Sequence, residues 1–144
     1  MTRRDLFASA AATVFAANTG AGAAAAVSKK TYILVHGAWH GGWCWRYVKE
    51  ALEAAGHTVL TPSLTGLGDR VHLRNPGVNL TTHVTDIVNL FEFEDLNDVI
   101  LVGHSYAGHV VSWVADKAKD RIKHVVYLDA VLPTDGKAFL PPGV

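Results

Sequence analysis

Val99-Ile100-Leu101-Val102-Gly103-His104-Ser105-Tyr106-Ala107-Gly108 is the stretch on which the fold turns. Its first four residues are apolar and mostly β-branched, which reads as a strand buried on both faces. Val110, Val111, Val114 and Ala118 then recur at the spacing of a helix packed along one side. The chain leaves a sheet and enters a helix within a few residues, with Ser105 at the apex. Small residues at 103, 107 and 108 let strand and helix come close. Such a turn is tight and strained, and it holds the Ser105 hydroxyl clear of the sheet. It also sets backbone N–H groups and the positive end of a helix dipole beside that hydroxyl. An attacking serine needs this placement. The usual spacing is G-x-S-x-G, and Ala107 stands where its second glycine falls, with Gly108 next. An ordinary helix cap after a strand is the other reading the hexapeptide permits.

The neighbouring segments extend the pattern. Tyr32-Ile33-Leu34-Val35 is a short apolar run ending at His36-Gly37. Cys44, Tyr47, Val48, Ala51, Leu52 and Ala55 follow at helical spacing, and Gly56 stops that helix. Thr58-Val59-Leu60-Thr61 reads as a strand broken by Pro62, followed by a long loop from Ser63 to Leu80. Val84, Ile87, Val88 and Phe91 mark a second helix, with Thr81 or Thr82 available as its cap. Val125-Val126-Tyr127-Leu128 is a fourth strand. Apolar strands separated by amphipathic helices predict a doubly wound α/β domain, a parallel sheet with helices on both faces. Ligands of such sheets bind beyond the carboxyl ends of the strands, so the residues after Val35, Leu60, Val102 and Leu128 form the rim to inspect.

Acyl transfer requires two N–H donors aimed at a tetrahedral oxyanion. The residue after the attacking serine supplies one, here the Tyr106 amide. The loop after the first strand, His36-Gly37-Ala38-Trp39-His40-Gly41-Gly42, supplies the other, here the Ala38 amide. Both loops follow carboxyl ends of strands, so two separate segments point to one site.

Composition limits the alternatives. The chain has 144 residues, room for one domain, with 13 basic and 13 acidic side chains. A formal net charge of zero argues against nucleic acid or an anionic membrane as partner. The one cysteine, Cys44, excludes an intramolecular disulfide and reads as a packing residue. His40, His57, His72 and His83 show no metal-binding spacing and read as loop or surface residues; no metal is expected. His36 and His104 flank the expected site and read as braces for its loops. Gly66-Leu67-Gly68-Asp69-Arg70 lacks the strand–glycine–helix setting of a dinucleotide fingerprint, leaving a substrate-side or plain surface loop. Residues 1–27 carry Arg3-Arg4, an apolar run over Ala8–Ala17 and a small-residue stretch ending at Ala26. That layout reads as a secretory leader of twin-arginine type, its apolar run too short for a membrane span, so a periplasmic or secreted location is expected; an alanine-rich N-terminal helix of the domain is the other reading. The domain proper then occupies 28–144.

Val35 to Trp43, Leu52 to His57 and Val99 to Gly108 together make the chain resemble the α/β-hydrolase superfamily. Within it, the resemblance is to esterases and hydroxynitrile lyases that include plant methylesterases and bacterial carboxylesterases. The resemblance implies Ser105 as nucleophile, the Ala38 and Tyr106 amides as oxyanion hole, small ester or acyl substrates, and no cofactor. It places the general base and the usual acid in later strands, past a cap segment beginning near Pro133. His109 lies on the nucleophile's own helix and His124 at the far end of the fourth strand, so neither suits that base. The expectation is an incomplete chain. Asp129 ends the fourth strand on the rim, where some hydrolases keep their acid; a polar strand-end cap is the alternative. Dehalogenases and epoxide hydrolases of this fold use aspartate at the turn, which Ser105 disfavours. A cyanohydrin-cleaving lyase and an inactive, non-catalytic fragment stay open as rivals.

Overall fold

Residues 28–134 are described by the computed structural model; the expected leader over 1–27 lies outside them. The elements run β1 (Thr31–Val35), a 3-10 turn (Gly42–Trp45), α1 (Arg46–Ala54), β2 (Thr58–Leu60), a second 3-10 segment (Gly68–Leu73) and α2 (Leu80–Phe93). β3 (Val99–Ser105), α3 (Ala107–Lys117), a short 3-10 turn (Lys119–Arg121) and β4 (Ile122–Ala130) follow. The four strands are parallel in the order β2-β1-β3-β4. Strand order therefore reverses between β1 and β3, which leaves a crevice at their carboxyl ends. Val35 pairs with Gly103 there.

Strand periodicity divides the core into two layers. Ile33, Val35, Val99 and Leu101 face α2 and α3, against Val84, Ile87, Phe91, Val110, Val111 and Val114. Leu34, Ile100 and Val102 face the other way, against Val59 and Trp45, with Cys44 and Leu52 at the margin. Helices thus cover both faces, as expected of a doubly wound sheet. Cys44 is partly buried in the second layer and burial pushes its thiol up, which fits packing rather than reactivity.

Several local expectations are corrected. The cap of α2 is Asn79, whose side chain accepts from the Thr82 amide, while the Thr82 hydroxyl accepts from the Asn79 amide. Thr81 and Thr82 belong to the helix itself, because the reciprocal pair needs its cap three residues earlier. β3 and β4 outrun their apolar stretches, to Ser105 and Ala130, because backbone pairing continues after the apolar pattern stops. The apolar stripe of α1 contains no buried residue: Tyr47 and Val48 are exposed and Leu52 is half-buried. Among the described residues no helix is long and apolar enough to cross a membrane.

Candidate active site

The turn from β3 into α3 owes its shape to three small residues. A Cβ on Gly103 would stand 2.8 Å from Val111 Cγ2 and 2.9 Å from the Ala107 carbonyl oxygen. Only glycine lets the strand pass this close to its own following helix. A Cβ on Gly108 would lie 2.0 Å from the carbonyl oxygen of Val131, so the segment after β4 rests directly on the first turn of α3. Ala107 is fully buried in the core beneath α2, which accommodates the methyl that glycine would lack. Ser105 sits at φ +55°, the left-handed region that side chains avoid at a cost of about 1–2 kcal/mol. The strain is held in place from the segment just after β4: Val131 N–H donates to the Ser105 carbonyl at 3.0 Å.

The loop after β1 comes to the same point. A Cβ on Gly37 would be 3.1 Å from Ser105 Cβ, so the two segments share one rim of the sheet in contact. Ala38, next in sequence, is therefore beside the serine. Gly42 packs equally closely, its missing Cβ lying 2.0 Å from the Thr61 carbonyl oxygen.

Two imidazoles fix these walls. His36 is fully buried; its Nε2 accepts from the Leu64 amide at 3.0 Å and its Nδ1 faces the Gly37 carbonyl at 2.8 Å. Nδ1 must then carry the proton, which defines the neutral tautomer. Burial lowers the pKa of His36 below the ordinary 6.5, keeping it in that form. His36 is a brace, as its position at the strand end suggests. His83 does the corresponding work on the other side and was not legible as such. It is a buried residue of α2 rather than a loop or surface residue, with Nε2 2.9 Å from the Thr65 carbonyl and Nδ1 2.9 Å from the Tyr106 hydroxyl. The usable signal was periodicity: His83 precedes Ile87 by four residues on the buried face of the helix.

The 63–70 loop is a structural hub. Asp86 of α2 accepts from the Thr65 amide (2.7 Å) and hydroxyl (2.8 Å), and pairs with Arg70 at 3.4 Å. Ser63 accepts from the Gly42 amide at 2.8 Å and donates to Asp69, whose carboxyl is held below the usual range first by that bond. The Gly66–Arg70 segment therefore supports the rim through a polar network. Among the described residues Trp39 is 89% and Trp43 59% exposed, whereas Trp45 is buried. His104 is half-buried, edge-on to Trp45 and near His40.

The structure brings Ser105, Tyr106 and the Gly37-Ala38 segment together. Asp129 stands on the same rim, exposed, at φ +44°, where the register between β3 and β4 slips. No histidine is hydrogen-bonded to the Ser105 hydroxyl among the described residues. His36 and His83 have both ring nitrogens committed, His109 is buried on α3, and His124 pairs with Ile100 at the opposite end of the sheet.

A strained serine between a parallel strand and a helix, at the switch point of a doubly wound sheet, defines a class. The chain belongs to the alpha/beta hydrolase family, which residues 32–144 match. It is 52% identical over 109 residues to a carbendazim hydrolyzing esterase of Nocardioides sp. (strain SG-4G), covering 76% of this chain and 45% of that protein. Methylesterase 2 of Arabidopsis thaliana is 35% identical over 116 residues, 73% of this chain and 41% of the relative. Among solved structures, an extracellular alpha/beta-hydrolase from a Paenibacillus species is 36% identical. It superposes with a TM-score of 0.69 over 74% of this chain and 43% of its own. The chain thus spans less than half the length of these relatives.

Proposed function

We propose that Ser105 is the nucleophile of an esterase that hydrolyses small esters or related acyl compounds. The observation that carries this reading is the left-handed Ser105 beside the Gly37-Ala38 loop. Its hydroxyl oxygen bonds to the substrate carbonyl carbon while a general base takes its proton. The resulting oxyanion rests on the Ala38 and Tyr106 amides. The bond to the leaving alkoxide then breaks, and the alkoxide takes a proton as it departs. Water attacks the acyl-enzyme, releasing the acid and restoring the serine. The base and its acid partner are contributed from outside the described arrangement, and Asp129 is an alternative source of the acid. The chemistry needs no cofactor. Exposed Trp39 and Trp43 offer an aromatic approach to the rim. The relatives make carbendazim and methyl esters the first substrates to assay. The Arg3-Arg4 leader supports export to the periplasm or beyond.

Hydrolysis of p-nitrophenyl acetate and carbendazim, and labelling by a fluorophosphonate followed by peptide mass spectrometry, test the reading. Modification at Ser105 and loss of turnover in Ser105→Ala are expected. Turnover indifferent to that substitution, or no modification of Ser105, rejects it.

A further inference from the structure

Building on the reading of Ser105 as nucleophile, we propose that His83 is a positioning residue of the oxyanion hole, acting through the Tyr106 hydroxyl. The direction of each hydrogen bond follows from the acceptors. The Thr65 carbonyl can only accept, so His83 Nε2, 2.9 Å away, carries the ring proton. Nδ1 of the neutral ring then has a lone pair, and the Tyr106 hydroxyl, 2.9 Å away, donates to it. The rings meet edge to face, 5.7 Å between centroids at 81°. Thr65 is itself immobilised by Asp86, three residues further along α2, through both its amide and its hydroxyl. The Tyr106 ring is therefore tethered to a fixed point on a different helix.

The tether matters because of where Tyr106 stands. Its amide belongs to the peptide that follows the left-handed Ser105, and its side chain leaves from the next atom along. Rotation of that peptide would turn the N–H away from the site. A movement that carries the tyrosine with it breaks the bond to His83. The opposite wall is held to the same place: His36 joins the Gly37 carbonyl to the Leu64 amide. Leu64-Thr65 is thus a common anchor from which two imidazoles set the spacing of the two donor segments.

Tyr106→Phe, His83→Gln, His83→Asn and the double variant Tyr106→Phe/His83→Gln separate this role from plain bracing. Asparagine puts an amide oxygen near the position of Nδ1, and glutamine an amide nitrogen near Nε2. Tyr106→Phe and His83→Gln are expected to slow fluorophosphonate labelling of Ser105, and kcat, by about tenfold to a hundredfold. KM should stay within about twofold, His83→Asn should recover most of the rate, and the double variant should be no slower than either single. Rescue by glutamine instead of asparagine, or additive losses, overturns the proposal. A second readout does not depend on the nucleophile. Long-range 1H–15N spectra should show His83 protonated at Nε2, and the Tyr106 amide resonance should move in His83→Gln and return in His83→Asn. A ring protonated at Nδ1 alone, or an unmoved Tyr106 amide, refutes the tether even if Ser105 proves inert. Tyr106→Phe keeps the ring and the fold, so at least one variant reports in every case.

Discussion

Replacing Gly108 by alanine sets two effects of opposite sign against each other. Alanine is the better helix former, by about 1 kcal/mol at an interior position. The new methyl, however, would lie 2.0 Å from the Val131 carbonyl oxygen, where ordinary contact begins beyond about 3 Å. The backbone after β4 would have to retreat by about 1 Å. Overpacking of that kind costs about 1–3 kcal/mol. The retreat also stretches the bond from the Val131 amide to the Ser105 carbonyl, about 1 kcal/mol more. Crowding wins, and a net destabilisation of about 1–3 kcal/mol is expected. With a urea m-value of about 1–2 kcal/mol/M for this size, the unfolding midpoint falls by about 1 M. Gly56→Ala is the control, since nothing lies within 4 Å of its missing Cβ and only its φ of +90° opposes the change. A Gly108→Ala midpoint equal to or above the wild type would refute the close approach of β4 to the turn. The same result would undermine the account of how Ser105 is held in its strained conformation.

Three further outcomes follow from individual residues. His36 has a folded-state pKa below 6.5, so its contribution to stability is complete above that pH. The contribution falls as pH drops below 6.5 and stops falling once the folded protein also takes up the proton. Urea titrations across this range should show that slope reduced in His36→Gln; an unchanged slope would assign it elsewhere. Asn79→Ala removes the cap of α2 and should cost about 1 kcal/mol, read from the same titrations, with Thr81→Ala nearly neutral. Asp86→Ala removes the acceptor of both the Thr65 amide and the Thr65 hydroxyl, while the partly exposed Arg70 keeps its bond to the Ser63 carbonyl, and should cost about 1–3 kcal/mol. Hydrogen exchange at the Thr65 amide should rise in step; a variant with native protection there would show that Asp86 does not anchor the loop.

The alternation of apolar strands with amphipathic helices decided the layered sheet, because period 2 and period 3.6 are properties of the backbone that side-chain order alone can display. The glycines around Ser105 and after Val35 likewise announced two tight turns, since close approach requires residues without a Cβ. Sequence reading stopped at the polar interior. His83 and Asp86 look like ordinary members of an amphipathic helix. Their importance depends on Thr65, which reaches them only when a loop with no periodicity of its own folds back across α2. The exposure of Trp39 and Trp43 was equally hidden, because it depends on what covers the rim and not on hydrophobicity. The order of the chain thus determined where the backbone bends. Only the tertiary structure determined which distant donors and acceptors hold those bends still, because a hydrogen bond between remote residues leaves no periodic trace in the chain.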